Sequence, residues 1–145
     1  MAYKALDIAH KIMKTLSNND AGELVSNMKL QKLLYYQQGF HLAYFETPLF
    51  NENIEAWMYG PVVPSVYDKF KSKGSNGLTY DGDVILLNPK EEDLFFEVLR
   101  IYGEFSAIGL MNITHKEKPW KETPIGVGNV ISSDEMKTFF KKKFK

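Results

Sequence analysis

The three histidines of this 145-residue chain, His10, His41 and His115, are its most evident groups for acid–base or metal chemistry. No two of them have a spacing typical of zinc ligands, and the chain contains no cysteine. The lack of cysteine also excludes a disulfide framework, an iron–sulfur cluster and a thiol nucleophile. We therefore predict no metal, no cofactor and no catalytic residues.

The segment His115-Lys116-Glu117 matches the H-x-E fragment of zinc deaminases, but the P-C-x-x-C segment that such sites require is absent. One interpretation is a local contact patch. The alternative is a small enzyme that makes or reverses a modification, with His115 and Glu117, and His41 as a third group, as acid–base residues.

Gln37 and His41 lie one turn apart in the middle of the apolar face of a predicted helix. We predict that they form a buried polar pair that satisfies its own hydrogen bonds. The alternative is that His41 acts as a general base or ligand. His10, with Lys11 and Lys14, falls on the polar side of the first predicted helix, where we expect solvent exposure.

The net charge is zero, with 18 basic and 18 acidic residues. This balance disfavours nucleic acid as a partner, because phosphate binding needs cations. Five of the lysines lie in the short basic tail, residues 137–145. That tail either binds an acidic partner, lipid or nucleic acid, or forms a helix end followed by a solvated terminus, which we favour.

No apolar run approaches the roughly 18 residues of a membrane span, and the N-terminus lacks the apolar core of an export signal. We therefore expect a cytoplasmic protein, and the length favours a single domain over residues 1–145. Aromatic residues make up 14% of the chain, and tyrosine and tryptophan are favoured at protein interfaces. The candidate partner-binding residues are Trp57, Tyr59, Tyr67, His115 and Trp120, although Trp57 also suits a core position.

Hydrophobic periodicity and capping residues predict a predominantly α-helical α+β fold, with five or six helices around a central helix and a two-stranded β element. The central helix runs from about residue 27 to 45, and Ser26 caps it. A strand at residues 54–59, ended by Gly60-Pro61, is predicted to pair with residues 84–87. The remaining predicted helices cover residues 5–16, 62–71, 89–103, 106–114 and 132–140.

Several blocks of the sequence resemble one known family over about residues 5–140. These blocks are K-L-Q-K-L-L-Y-Y at 29–36, Q-G-F-H-L-A at 38–43, E-A-W at 55–57, Y-G-P-V-V-P-S-V-Y at 59–67, T-H at 114–115 and P-W at 119–120. They are similar to the Panacea domain family, also called SocA-like or phage-associated GepA-like proteins. One departure is Gln37, where the family often has a small residue.

This resemblance implies a bacterial or phage antitoxin that binds and neutralises a toxin encoded beside it. The family's toxins are diverse, so the expected partner is a protein toxin of unknown identity. The oligomeric state stays open, a homodimer included. A further alternative is an adaptor that delivers its partner to a protease.

Overall fold

The architecture consists of seven α-helices and one two-stranded sheet in the part of the chain that the computed structural model describes, residues 2–17 and 24–144. The elements are α1 (Ala5–Ser17), α2 (Asn27–Phe45), β1 (Glu55–Trp57), β2 (Gly60–Val62), α3 (Pro64–Phe70), α4 (Pro89–Tyr102), α5 (Ala107–Thr114), α6 (Lys118–Lys121) and α7 (Ser133–Lys141). The predicted fold class is confirmed. The seventh helix is the single turn α6, in a segment where the sequence predicts only the end of α5. The run Ser17-Asn18-Asn19-Asp20 is predicted to end the first helix; α1 includes Ser17, and residues 18–20 lie outside the described residues.

The central helix α2 is buried on nearly every side, as its sequence predicts. Ser26 Oγ accepts a hydrogen bond from the backbone N–H of Lys29 (3.2 Å) and caps the helix, which ends where Glu46 turns left-handed. The helix packs against α1, α3, α4, α5, α7 and β2. None of the described helices is long and apolar enough to cross a membrane.

The contact between α2 and α7 depends on the absence of a side chain at Gly39. Phe140 of α7 is fully buried, and a Cβ atom built on Gly39 would overlap its ring. The same ring packs against Tyr35 and Phe40, with centroids 5.4 and 4.8 Å away. Gly39 therefore allows α7 to approach α2 closely enough to bury a phenylalanine between them.

The two strands form a tight hairpin, and the predicted pairing of residues 54–59 with residues 84–87 is wrong. β1 pairs with β2 in antiparallel register, Trp57 opposite Gly60, so that Met58 and Tyr59 form the turn. Gly60 has φ of +127°, a conformation that other residues rarely adopt. Residues 84–87 form no strand.

Pro61 lies inside β2 instead of ending a strand, because its missing N–H is not needed there. Its partner across the hairpin, Ala56, directs its polar backbone groups to the other side. The Ala56 N–H donates to the carbonyl of Asn129 (3.0 Å), and its carbonyl accepts from the N–H of Gly126 (2.8 Å). Proline fits at such a non-hydrogen-bonded position on an edge strand.

The side of α1 predicted to face solvent is partly covered. His10 is half-buried and stacks on Tyr80 with ring centroids 3.9 Å apart, and burial lowers the pKa of its imidazole. Lys11 is buried, with its Nζ 2.8 Å from Glu92 Oε2 and hydrogen-bonded to the carbonyl of Ile85. The segment before α4 therefore lies against α1, and periodicity within α1 alone does not show this.

The basic tail begins within the second half of α7 and lies against the protein through several of its lysines. The ammonium groups of Lys137 and Lys141 each lie 3.3 Å from a carboxylate oxygen of Glu46, at the end of α2. Lys143 lies 3.9 Å from Glu117 and over the ring of Phe139. At least three of the five tail lysines thus contact acids of the same chain.

We predict that Gly39→Ala lowers the free energy of unfolding by about 2 kcal/mol, because the new methyl group displaces the buried ring of Phe140. Gly109→Ala in α5 is the matched control, since its Cβ would come no closer than 3.2 Å to another atom, the Ser106 hydroxyl. Urea denaturation measures both effects. A Gly39→Ala protein as stable as the wild type would contradict the dependence of the α2–α7 contact on this glycine.

Candidate partner-binding site

A cavity of about 480 Å³ opens between the start of α2, the β1–β2 hairpin and the end of α3. The wall is mostly apolar, and it includes three of the predicted partner-binding residues, Trp57, Tyr59 and Tyr67. The other lining residues are Ser26, Asn27, Met28, Gln31, Lys32, Val62, Lys71, Gly74, Ser75, Ala107 and Ile108. Its size and composition are typical of ligand-binding cavities.

The aromatic residues predicted to bind a partner lie side by side. Trp57 contacts Tyr67 edge to face, with ring centroids 5.0 Å apart. Trp120 Nε1 donates a hydrogen bond to the carbonyl of Trp57 (2.8 Å), and His115 stacks on Trp120 at 4.0 Å. Tyr59, in the hairpin turn, is 59% exposed. The structure therefore places all five predicted residues around one hairpin, although Trp120 and His115 do not line the cavity.

Lys32 is a polar residue of this site that was not predicted from the sequence. Its side chain lines the cavity although the residue is only 1% exposed. Its only hydrogen bond within the described residues is a long one, 3.3 Å, from Nζ to the carbonyl of Met28, and no described carboxylate lies within ion-pair distance. Burial lowers the pKa of the amine to about 8.

A signal for Lys32 does exist in the sequence. A helix with apolar residues around most of its circumference must be covered on several sides, so a lysine within it cannot always reach solvent. Once folded, the aliphatic chain of Lys32 packs beneath the hairpin, where a Cβ on Gly60 would lie 3.0 Å from its Cε. The glycine at this turn therefore leaves room for the lysine.

His115 is half-buried, and its Nε2 atom is buried without a hydrogen-bond partner. Burial lowers the pKa of the imidazole, the charge of Lys32 lowers it further, and a backbone contact with Met58 opposes both effects. Burial and Lys32 thus favour the neutral imidazole, and the described contacts include no hydrogen bond from it to Glu117.

Glu117 lies in a separate buried network. It is 5% exposed and accepts hydrogen bonds from the hydroxyl groups of Tyr35 (3.1 Å) and Tyr36 (3.1 Å). Burial raises the pKa of its carboxyl to about 7, although Lys143 and the two tyrosines act in the opposite direction. This network joins α2 to the segment between α5 and α6.

Gln37 and His41 are both buried, but the structure does not join them as a pair. Gln37 Nε2 donates to the carbonyl of Phe95 (3.0 Å). The His41 ring nitrogens lie 2.7 Å from Glu91 Oε2 and 2.6 Å from the carbonyl oxygen of Thr47. Each side chain thus satisfies its hydrogen bonds with a different remote segment.

The Glu91 carboxylate beside His41 also binds other groups of the fold. Burial alone would raise its pKa, but hydrogen bonds from His41 and Tyr3 outweigh that effect and lower it. Glu91 also completes a capping box with Asn88 at the start of α4. The candidate acid–base groups His41 and Glu117 therefore have separate partners, and the described contacts include no hydrogen bond from His115 to either of them. Among the described residues no group of three or more His, Asp or Glu side chains has the arrangement of a metal site.

We predict that Lys32→Met raises the free energy of unfolding at pH 7 by about 1–3 kcal/mol, because a buried ammonium without a carboxylate loses hydration that nothing replaces. The folded-state pKa of about 8 lies below the usual 10.5. The destabilisation is therefore fully present below pH 8 and disappears as the pH rises toward 10.5. The difference in free energy of unfolding between Lys32→Met and the wild type should therefore shrink from pH 8 to 10.5.

Urea denaturation of both proteins from pH 7 to 10.5 measures this difference. Lys29→Met is the matched control, because Lys29 is also a buried lysine of α2 but donates to the carbonyl of Gly103 (2.7 Å). That variant should be destabilised. If Lys32→Met also loses stability at pH 7, the amine has a stabilising partner, and the assignment of Lys32 as a destabilising buried charge is wrong.

The raised pKa of Glu117 predicts the opposite pH dependence from that of Lys32: its contribution to stability falls as the pH rises. Its folded-state pKa of about 7 lies above the usual 4.5, so the folded protein binds its proton more tightly than the unfolded chain. Stability from this group is lost as the pH rises from 4.5 to 7. Relative to the wild type, the free energy of unfolding of Glu117→Gln should rise by about 1–3 kcal/mol between pH 4.5 and 7. Above pH 7 the difference between the two proteins should stay constant.

Thermal and urea denaturation between pH 4 and 8 measure the effect of Glu117→Gln. Glu104→Gln, at an exposed position, controls for the loss of one negative charge. A difference between Glu117→Gln and wild type that does not change with pH would contradict burial as the cause of the shift.

Comparison of the sequence with those of known proteins places this chain in a family. The model of the antitoxin SocA-like family, the Panacea domain, matches residues 30–121, a range that contains α2 from Leu30 onward, the hairpin and Glu117. Antitoxin SocA of Caulobacter vibrioides (strain NA1000 / CB15N) is 32% identical over 117 residues, which cover 72% of this chain and 62% of that relative. No solved structure matches the chain. The chain therefore belongs to the SocA-like antitoxin family and carries its Panacea domain.

Proposed function

We propose that this protein is an antitoxin that neutralises a neighbour-encoded protein toxin by direct contact, through the face formed by the hairpin and its cavity. The observation that carries the proposal is the convergence of Trp57, Tyr59 and Tyr67 on one apolar cavity in a member of an antitoxin family. The encounter takes place in the cytoplasm, the compartment expected from the sequence.

The face has the features of a binding hot spot. Met58 and Tyr59 in the hairpin turn are 64% and 59% exposed, and Ile108 on the cavity wall is 63% exposed. Burying these side chains against a partner removes apolar surface from water. Trp57 is already held in place, because its Nε1 donates to Glu55 (2.9 Å) and its carbonyl accepts from Trp120. A pre-ordered aromatic side chain loses little entropy on binding.

The described contacts favour binding over catalysis. An enzyme that uses His115, Glu117 and His41 as acid–base groups needs these side chains to converge on one substrate. Glu117 instead binds Tyr35 and Tyr36, and His41 lies between Glu91 and Thr47. The remaining alternative is an adaptor that delivers the toxin to a protease. It predicts that this protein shortens the lifetime of the toxin and leaves its activity unchanged.

The test is co-expression of the adjacent gene with this protein and with its Tyr59→Ala variant. We expect the adjacent gene to arrest growth alone and the wild-type antitoxin to restore it. Tyr59→Ala should weaken toxin binding about 30-fold, since a central aromatic residue contributes about 2 kcal/mol or more at such interfaces. Calorimetry on the purified pair measures the affinity.

Tyr44→Ala is the matched control, because Tyr44 is comparably exposed (56%) near the other end of α2. It should bind the toxin as the wild type does. The proposal fails if the neighbour is harmless alone or kills equally in the presence of this protein. A toxin whose activity is unchanged but whose lifetime falls would indicate the adaptor.

A further inference from the structure

The polar side chains of α2 that face the interior form hydrogen bonds, and the hydrogen bond of Lys32 is a long one. Gln31 donates to Asn27 (2.8 Å) and accepts from the backbone N–H of Val63 (2.9 Å). Gln37, Gln38 and His41 bind backbone or side-chain groups of remote segments. Lys32 has only the 3.3 Å contact with its own helix among the described residues.

The position of Lys32 distinguishes it from an ordinary buried lysine. Its side chain forms part of the wall of the 480 Å³ cavity, together with the aromatic rings. An ammonium group has three donors, and one is directed to the Met28 carbonyl. No other hydrogen bond and no ion pair of this ammonium is formed within the described residues.

Of the two lysines that line the cavity, Lys32 is the one with no carboxylate within ion-pair distance among the described residues. Lys71 also lines it, with its ammonium 3.6 Å from Asp68, and both groups of that pair are exposed. A carboxylate is the natural counter-ion for a buried ammonium, since the pair then replaces the hydration that each group loses.

Two side-chain amides on the wall, Asn27 and Gln31, already donate hydrogen bonds within the protein. The side-chain amide of Asn27 donates to the carbonyl of Tyr67 (3.2 Å), and that of Gln31 donates to Asn27. These groups are therefore engaged within the protein. A carboxylate carries one charge and matches the single ammonium of Lys32, whereas a phosphate carries close to two charges.

We propose that the cavity recognises an acidic side chain of the toxin, set among apolar neighbours, whose carboxylate pairs with Lys32 while Trp57, Tyr59 and Tyr67 enclose the apolar part. This inference rests on the proposed function and specifies its chemistry. Lys32 is a specificity-determining residue of the interface, and the stability lost by burying its charge in the free protein is recovered in the complex.

The first experiment needs no toxin. Purified full-length protein is titrated with 2-naphthoate and with 2-naphthamide, which has the same ring and no charge, and the indole and amide NMR signals are followed. We expect naphthoate to bind at least tenfold more tightly than naphthamide and to shift the Trp57 indole signal. Lys32→Met should lose this preference, and Lys29→Met should keep it. Equal binding of the two probes, or a preference retained in Lys32→Met, would overturn the proposal.

The second experiment uses the toxin. Lys32→Met, which we expect to fold more stably than the wild type, should bind the toxin at least tenfold more weakly, and naphthoate should compete with the toxin for the wild-type protein. Wild-type affinity in Lys32→Met overturns the assignment to the toxin while the proposed function stands. Failure of the wild-type protein to bind or neutralise the toxin defeats the proposed function instead, and the probe titration still decides whether the cavity takes a carboxylate.

Discussion

A helix that is buried on nearly all sides and still carries polar side chains sets the main constraint on this fold. Each buried amide of α2 must find hydrogen-bond partners, because an unsatisfied polar group in the interior costs about 1–3 kcal/mol. Gln38 accepts from the backbone N–H of Leu49 (2.8 Å) and donates to the carbonyl of Phe50 (2.7 Å). Gln31 holds the start of α3 through Val63, and Gln37 holds α4 through Phe95. The polar residues of α2 therefore fix where the segments around it lie.

The cavity lies beside the first half of α2, next to the buried Lys32. At Gly39 the helix packs closely on α7, whereas at Lys32 it lies beneath the hairpin, with α3 and α5 on either side of the cavity. A two-residue turn with Gly60 at positive φ brings the hairpin down onto the lysine and leaves Tyr59 exposed. Space then remains between the hairpin and α3, and the aromatic rings line it.

Local chemistry determines the parts of this fold that the sequence predicts well. Ser26, Asn88, Ser106 and Ser132 each accept a hydrogen bond from a backbone N–H three residues later, so the starts of four helices follow from nearby residues. The hairpin partner was not predictable in this way, because Pro61 is accommodated only through hydrogen bonds between Ala56 and the distant residues 126 and 129. The aromatic residues of the site were found by their type. Their arrangement, and the burial of Lys32 and Glu117, depend on packing between segments far apart in sequence.

The segment K-L-Q-K-L-L-Y-Y, residues 29–36, contains core residues, hydrogen-bonding residues and Lys32. Leu30, Leu33 and Leu34 are fully buried and belong to the hydrophobic core. Gln31, Tyr35 and Tyr36 connect that core to α3 and to Glu117 through hydrogen bonds. Lys32 does neither, and its burial lowers the pKa of its amine, from which we expect a cost in stability. A residue that weakens the fold and faces a binding cavity is typical of a functional position, where stability is given up for activity. Within the described residues no carboxylate pairs with Lys32, and the proposed partner supplies that charge.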